Sequence, residues 1–456
     1  MNHNDRTINF KQYLIAVLIS AILSPAILGD AHADEMKLSW KECVTITMDK
    51  NPELKSSREL IIQSKAKVGS AISGYLPQIS ANLGATVSRQ TSQDQTTQKY
   101  STNVNQILVN EATKKKWDDS YSYSYGISGR QMIFDGLKTV FDIKSAESLV
   151  DQSKYRHQVS SSQVRLDLRT SYVRLMKSQE SIDLLRQIAS RWKKNLDLVT
   201  MRYRAGREHR GSVLNAEANL AQARLELQQA ERGLRISQLE LLRQMGVPVY
   251  APVSADEKLA GKIASSGRPD LYVLLKTHPL VLQAEKQREA SEYGKKSKIA
   301  AFSPVISATG SAGKSDSSFP AGRTNLSAGL DVSVPLFTGG SNYFNYRASE
   351  SEVRKLKADE QATREKVLLD LEQKWNDWQN SIGQTAVRRK FVEAAEERSR
   401  IAESQYSIGL IQFDNWIIIE NELALAKKYY LDALASELVA EAAWIQAQGE
   451  TLSYDK

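Results

Sequence analysis

Residues that could carry out enzymatic or metal chemistry are few in this chain of 456 residues. It contains five histidines and one cysteine, Cys43, and they are scattered along the sequence. No Gly-rich phosphate loop, no zinc-like spacing and no Ser-His-Asp arrangement stands out. The sequence therefore predicts a protein that is not an enzyme and that binds neither a cofactor nor a metal ion.

The most prominent cluster of functional side chains is basic and lies around the segment YRAGREHRG. It comprises Arg202, Arg204, Arg207, His209 and Arg210. Such a cluster fits an acidic partner protein or acidic cargo, but arginines at a helix end are equally often only solvated. The net charge of +8 is spread over Lys and Arg dispersed among Asp and Glu. This pattern is typical of solvated helices and argues against nucleic-acid binding.

Two long helical segments flank the basic cluster. From about Leu137 to Tyr203 there is no proline, and apolar residues recur every three or four positions. A continuous helix of this length reaches roughly 100 Å. After the turn, leucines and a valine recur every seven positions, which is typical of a coiled coil. The sequence therefore predicts a helical hairpin that turns at Gly206.

The hairpin belongs to one half of an internal duplication. Asn51-Pro52 and His278-Pro279 open the two copies, and the turn YRAG matches the turn YSIG, which ends at Gly409. The number of residues that separates matching positions in the two copies changes within the polar run 89–106 of the first copy. An insertion of this kind is typical of a solvent-exposed loop, and the repeat itself indicates a duplicated folding unit.

Short segments of alternating apolar and polar residues lie in each copy. We expect strands at about 78–89, 120–134, 304–313 and 324–336, each with one apolar face except the third, which is weaker and consists mostly of small residues. Alternation over about ten residues is typical of an outer-membrane barrel. Four strands cannot close around a lumen, and open sheet edges are not tolerated in lipid, so the barrel must be shared between subunits. We expect the following aromatic residues to lie at the membrane interfaces: Tyr121, Tyr123, Tyr125, Phe134 and Phe337.

The N-terminus has the pattern of an export signal. Arg6 and Lys11 precede a short apolar run, and an Ala-His-Ala stretch follows it, so we expect cleavage near Ala33. A retained anchor helix is the alternative. Cys43 does not lie at the end of the apolar run, where a lipid anchor would be attached, and we expect it to be buried.

These patterns predict a mainly α fold that is internally duplicated. The fold consists of a long coiled-coil α-barrel and a transmembrane β-barrel. The β-barrel is shared between subunits, and each chain contributes four strands to it. The predicted divisions are a signal peptide (1–33), a first repeat (34–245, with its hairpin at 137–245), an equatorial linker (246–270), a second repeat (271–449, with its hairpin at 341–448) and a tail (450–456).

The ordered motifs resemble the TolC-type outer-membrane efflux and type I secretion channel family. The marks are the Asn-Pro and His-Pro helix starts, VPLFTGG with its weaker partner IFDGL, and the YSIGL and YRAGR turns, which recur in the same order across nearly the whole mature chain. The resemblance implies a homotrimer in which three chains form a twelve-stranded barrel and a long periplasmic tunnel, with the linker in a belt around the tunnel.

The resemblance also implies roles for the two turns. A periplasmic adaptor would contact Gly206, Arg207, Gly409 and Leu410. Family members carry two aspartates six and nine residues after the second glycine, where this chain has Asn415 and Ile418, so a carboxylate ring that selects cations is not expected. The candidates for the pore constriction are Arg210, Ser212, Asp414, Asn415 and Ile418.

The predicted function is a passive exit duct in the outer membrane that extends into the periplasm. Its expected partners are outer-membrane lipid, a periplasmic adaptor (membrane fusion) protein and an inner-membrane ABC or proton-driven exporter, with no nucleic acid. The cargo is either secreted protein or small toxic compounds, and the missing lipid-anchor cysteine slightly favours protein. The alternative is a periplasmic coiled-coil scaffold or adaptor without a pore.

Overall fold

The structure, a computed structural model, describes residues 36–92, 116–248, 252–261 and 267–455. The predicted signal peptide, 1–33, and most of the polar loop between the first two strands lie outside the described residues. The first copy comprises β1 (Met36–Leu38), α1 (Trp40–Lys50), α2 (Pro52–Ile72), β2 (Gln78–Ser92), β3 (Lys116–Phe134), α3 (Lys138–Arg204) and α4 (Arg210–Met245). The linker and the second copy comprise β4 (Val253–Ala255), α5 (Leu271–Thr277), α6 (Pro279–Ala300), β5 (Val305–Asp316), β6 (Thr324–Ser333), α7 (Ser341–Ile408) and α8 (Phe413–Ala447).

At the start of each copy, one helix ends and the next begins at a residue whose side chain caps the new helix. In the first copy, the Asn51 side chain accepts hydrogen bonds from the backbone N–H groups of Glu53 and Leu54, at 2.9 and 3.1 Å. In the second copy, His278 Nδ1 accepts one from the Leu280 N–H at 3.2 Å. Proline occupies the next position in both, where it has no N–H to satisfy. The Asn-Pro and His-Pro motifs are therefore helix caps.

The long helices form two antiparallel hairpins. Helix α3 has 67 residues and α7 has 68, so each is about 100 Å long. Helix α3 packs along α4, α7 packs along α8, and α3 also contacts α8. The turns end the helices at Gly206 and Gly409, whose φ angles of +68° and +86° are left-handed, as the motifs predict.

The buried apolar residues form separate clusters along the helices. The largest, at the level of the linker, joins both copies through residues such as Leu168, Tyr172 and Leu438, and it contains Cys43, which is buried as predicted. A second cluster, nearer the turns, contains Trp192, Tyr406 and Trp416 from both hairpins. The core is therefore distributed along the hairpins, and these two clusters hold the two copies side by side.

Strands β2, β3, β5 and β6 form an antiparallel sheet in the order β2-β3-β5-β6. Strands β2, β3 and β5 extend about three residues further at the loop end than predicted. Strand β6 is shorter than the predicted 324–336, because its last residue, Ser333, pairs with the first residue of β5, Val305, and no described strand pairs with residues 334–336. Pro335, which has no N–H to donate, lies in this unpaired stretch. Phe337 therefore lies outside the strand.

The linker contributes a short strand of its own. Strand β4 pairs in parallel with β1, so the linker is tied to the start of the first copy. Tyr172 of α3 donates a hydrogen bond to the Leu38 carbonyl at 3.0 Å, which fixes this small sheet to the long helix. The tail packs here as well, since Leu452 is buried in the same cluster.

Among the described residues, no helix combines the length and the apolar character that are needed to cross a membrane.

Candidate functional site at the helical turns and the membrane sheet

The first turn joins α3 to α4 and is built from a basic segment. The Arg207 N–H bonds to the Arg202 carbonyl at 2.9 Å, and the Gly206 N–H bonds to the Tyr203 carbonyl at 2.9 Å. His209 then caps α4, since its Nδ1 accepts a hydrogen bond from the Ser212 N–H at 3.2 Å. These bonds satisfy several of the backbone groups that are left free at the two helix ends.

The second turn joins α7 to α8 and is apolar at its surface. The Leu410 N–H bonds to the Gln405 carbonyl at 2.9 Å, which closes the same kind of cap. Ile408 and Leu410 are 72% and 70% exposed. Large apolar side chains at this exposure, side by side on a protein surface, are typical of a contact site for a partner.

Tyr406 connects the two turns. Its side chain is fully buried, its ring stacks on Trp416 at 4.2 Å between centroids, and its hydroxyl donates to Glu208 Oε2 at 2.9 Å. The Arg202 guanidinium lies 4.7 Å from the Tyr406 ring centroid and donates to the Tyr406 carbonyl at 2.7 Å. The second-copy turn is therefore held against the first-copy turn by one tyrosine and one arginine.

The charge state of Glu208 depends on these contacts. Burial works against its ionisation, but hydrogen bonds from Ser212 and Tyr406 outweigh burial and hold the pKa of Glu208 below its ordinary value. Burial, followed by the neighbouring Glu208, raises the pKa of Tyr406. At neutral pH the contact is thus a phenol that donates to a carboxylate, a charge-assisted hydrogen bond.

A buried polar network links three helices further from the turns. Glu420 of α8 is almost fully buried and accepts hydrogen bonds from Arg191 and Asn195 of α3 and from Ser399 of α7. Burial opposes ionisation of Glu420, but these donors, Arg191 foremost, lower its pKa below the ordinary value. The network is a second connection between the two copies. It lies beside a cavity of about 490 Å³ between α3 and α8.

The basic cluster divides into two groups. Arg202 is engaged by the second copy, as described above, whereas Arg204, Arg207 and Arg210 are exposed and make no side-chain hydrogen bond or ion pair within the described part of the chain. Three arginines of the first turn are thus available to solvent or to a partner.

The proposed constriction residues occupy two different environments. Arg210, Asp414, Asn415 and Ile418 are exposed at the beginnings of α4 and α8. Ser212 is only 1% exposed, and its hydroxyl donates to Glu208 at 2.9 Å. The side chain of Ser212 therefore points into the turn, where it supports Glu208, and it is not at the surface.

Sequence reasoning missed Glu208, Tyr406, Arg191 and Glu420. Tyr406 matches Tyr203 in the other copy, but Tyr203 is 42% exposed. The repeat therefore gives no sign that one of the two tyrosines is buried. Glu208 is the one acidic residue in a basic segment, which is the only local signal that the sequence offers.

The sheet has one polar face, lined by small side chains. Hydroxyl groups pair across neighbouring strands, at 2.8 Å for Ser80 and Ser128 and at 2.8 Å for Ser311 and Ser327. The opposite face carries exposed apolar residues such as Leu83, Leu326 and Leu330. Alternation of this kind suits lipid on one side of the sheet and a water-filled lumen on the other.

The predicted interface aromatics fall at the two ends of the apolar face. Towards the loop end, Tyr121 is exposed, Tyr123 meets Phe319 edge-on at 5.7 Å, and the Tyr125 hydroxyl donates to the Ala321 carbonyl. Towards the helices, a bulge between Met132 and Phe134 places Phe134 opposite Ile306, which lies on the apolar face. Phe337 lies just beyond β6 and is 88% exposed.

Two long hairpins joined to a sheet with a lipid-type face define a channel-forming protein of the outer membrane. The chain belongs to the outer membrane efflux protein family, whose sequence profile matches residues 46–247 and 271–450. It is an efflux channel of the outer membrane that extends into the periplasm, and its fold is of the TolC type. Proteins of this family are transporters and not enzymes.

Individual relatives are distant in sequence and near in fold. The chain is 24% identical over 337 residues to the outer membrane efflux protein BepC of Brucella suis biovar 1 (strain 1330), covering 71% of each chain. It is similar to a membrane protein from Pseudomonas aeruginosa, with a TM-score of 0.74 and 17% identity over 90% of this chain and 93% of that one. It is also similar to the open state of the Neisseria gonorrhoeae MtrE outer membrane channel, with a TM-score of 0.74 and 17% identity over 90% and 89%.

Proposed function

We propose that this protein is the outer-membrane exit duct of a tripartite export machine. Three copies form one passive channel, a periplasmic adaptor contacts the helical turns, and an inner-membrane exporter supplies the energy. The turns are closed at rest and open when the adaptor engages. The exporter is ATP-driven or proton-driven, and the duct itself performs no chemistry.

The observation that carries the proposal is the open sheet. The order β2-β3-β5-β6 leaves β2 and β6 each with one side unpaired by any described strand. In the proposed barrel the apolar face of this sheet contacts lipid, where an unpaired backbone N–H or C=O group costs several kcal/mol. Pairing β6 of one copy with β2 of the next removes both edges. Three copies would give twelve strands, a number within the range of outer-membrane barrels.

The helices support the same assembly. The accessible surface of the single chain is 31223 Å², whereas a compact monomer of 51.0 kDa exposes about 17,000 Å². Part of this excess is a row of apolar residues on α7 that are at least 45% exposed: Val387, Phe391 and Ile401. The spacing of these residues is close to a heptad, so they suit packing against a helix of a neighbouring copy.

The proposed adaptor contact is the pair of turns. Ile408 and Leu410 offer apolar surface, and Arg204, Arg207 and Arg210 offer positive charge beside it. A partner that presents apolar side chains flanked by carboxylates would match both. Opening would separate the turns, which requires breaking the contacts that Tyr406 makes with Glu208 and Arg202.

The family distinguishes this proposal from a coiled-coil scaffold without a pore, and the assembly can be measured directly. Protein extracted from outer-membrane fractions should have the mass of three chains in native mass spectrometry. A monomer in the soluble periplasmic fraction would overturn the proposal.

The adaptor contact needs a separate test in cells that contain the exporter. Arg207→Asp combined with Leu410→Asp should abolish export while the trimer and its location are unchanged. The matched control is Lys193→Asp combined with Leu225→Asp, which changes exposed residues far from the turns and should leave export intact. Normal export by the turn variant would contradict the adaptor contact.

A further inference from the structure

The ends of two helices lie directly beneath the membrane sheet. Helix α6 ends at Ala300, five residues before β5 begins, and α3 begins at Lys138, four residues after β3 ends. Because the helices extend into the periplasm, these ends lie at the periplasmic edge of the membrane. Side chains on the outer surface at this level are therefore close to the head groups of the periplasmic leaflet.

Exposed apolar side chains mark the membrane boundary at this level. Leu336 is 92% exposed and Phe337 is 88% exposed, and Phe344, Phe302 and Ile299 are each about half exposed or more. Aromatic side chains are enriched at the interface of a bilayer, where their rings reach the head groups. Large apolar residues this exposed mark a contact with protein or membrane, and at the edge of the membrane we assign them to lipid.

Lysines follow this apolar belt on the periplasmic side. Helix α6 carries Lys295, Lys296 and Lys298 in its last two turns, with no acidic residue from 293 to 300, and α3 carries Lys144. None of the four forms an ion pair with a described residue. Lys138 is a different case, since its ammonium group pairs with Asp142 at 2.6 Å.

Two of these lysines converge on one aromatic ring. The Lys296 ammonium lies 5.2 Å from the Tyr293 ring centroid and 6.0 Å from that of Phe141, and the Lys144 ammonium lies 5.8 Å from Tyr293. Two positive groups near one ring concentrate positive charge at this point of the surface. Cation–π contact holds both side chains in place but does not neutralise their charge.

The lysines share a helix face with the apolar belt. Lys295 and Lys296 precede Ile299 by four and three residues, so they lie one turn below it on the same face, and Phe302 follows close beyond. One helical turn is about 5 Å. A lysine at that distance from the apolar boundary reaches the depth of the lipid phosphates.

We propose that Lys144, Lys295, Lys296 and Lys298, together the lysine belt, bind the phosphate groups of anionic phospholipids in the periplasmic leaflet. Clustered lysines beside a membrane segment attract anionic lipid through their positive charge. Lipid A also carries phosphate, but it lies in the outer leaflet, at the loop end of the strands. The lysine belt is at the helix end, so its ligand is a phospholipid.

The test is native mass spectrometry of the whole protein released from mixed micelles that contain equal amounts of phosphatidylglycerol and phosphatidylcholine. The wild type should retain phosphatidylglycerol in preference. The belt variant changes all four lysines to glutamine: Lys144→Gln, Lys295→Gln, Lys296→Gln and Lys298→Gln. Its retention of phosphatidylglycerol should fall about fivefold for each contributing lysine, the factor expected for one cation at an anionic surface.

Two further variants make the outcome specific. The control changes four exposed lysines that form no ion pair within the described residues: Lys193→Gln, Lys194→Gln, Lys276→Gln and Lys366→Gln. This control should retain lipid as the wild type does, and a belt variant with four arginines in place of lysine should do so too. Three results would each overturn the proposal: unchanged retention by the glutamine belt variant, equal loss in the control, or preferential retention of lipid A when it is added as a competitor.

Discussion

At the scale of single residues, the two copies use matching positions differently. Tyr203 and Tyr406 occupy the same place in the two turn motifs, yet Tyr203 is exposed and Tyr406 is fully buried against Trp416 and Glu208. The turn glycines could be predicted because a left-handed helix end depends on local sequence. The Tyr406 contacts could not be predicted, because they depend on how one hairpin is rotated against the other.

Removal of the Tyr406 hydroxyl should loosen the turns. Tyr406→Phe keeps the ring stack but takes one donor from the carboxylate of Glu208, which should cost about 1–2 kcal/mol locally. Amide hydrogen exchange in the first turn should then be about 5- to 30-fold faster. Tyr203→Phe removes an exposed hydroxyl at the matching position and should leave exchange unchanged, and equal effects of the two variants would contradict the assigned contact.

His278 should make stability depend on pH. Burial lowers its pKa, although the Ala447 carbonyl and Asp370 act in the opposite direction. The neutral ring caps α6 through Nδ1 and donates from Nε2 to the Ala447 carbonyl at 3.1 Å. As pH falls below the ordinary value of 6.5, the unfolded state binds more protons than the folded state, so stability decreases until the folded pKa is passed.

The first copy suggests the substitution for this test, because Asn51 has the same capping role there as His278 has in the second copy. His278→Asn should keep the cap and remove the titration. The thermal midpoint of the variant should therefore fall less than that of the wild type between about pH 7.5 and pH 5. Because His157 also has a lowered pKa, the comparison between the two proteins isolates His278. Parallel pH profiles would contradict the assignment.

At the scale of secondary-structure elements, periodicity predicted the helices and strands but not their polar connections. The seven-residue repeat and the lack of proline indicated the long hairpins, and alternation indicated the strands. The ends of the strands depend on where a partner strand begins, as Val305 and Ser333 illustrate. Glu420 follows three isoleucines in a helical stretch, and nothing in its local pattern indicates that Arg191, from the other copy, is its partner.

The Glu420 network should contribute measurably to the packing of the hairpins. Arg191→Met leaves a buried carboxylate with only Ser399 and Asn195 as donors, so the free energy of unfolding should fall by about 3 kcal/mol. The value is at the low end for a buried pair because these two donors remain and because Arg191 is partly exposed. Denaturant titration of the solubilised protein measures it.

Two comparisons assign that loss to the buried carboxylate. Arg186→Met removes an exposed pair with Asp183 and should change the free energy of unfolding by less than about 0.5 kcal/mol. The double variant Arg191→Met, Glu420→Gln leaves no buried charge and should recover part of the stability. A double variant less stable than Arg191→Met would contradict this account.

At the scale of the whole molecule, the sequence predicted a barrel that is shared between subunits, because four strands cannot close around a lumen. Four strands with open edges and a helical surface that exposes far more area than a compact monomer lead to the same assembly. The number of copies cannot be deduced from the residues of one chain, because closure depends on strand tilt and register between copies. The proposal takes three copies from the family resemblance.

The central claim is that the protein is a channel whose closure lies at the turns. It is tested most directly by single-channel conductance in a planar bilayer, with the purified oligomer as wild type and as the variant Arg202→Met, Tyr406→Phe. We predict a small, steady conductance for the wild type and a larger one for the variant, in which both links between the turns are lost. No conductance from either inserted oligomer, or the same conductance from both, would contradict the claim.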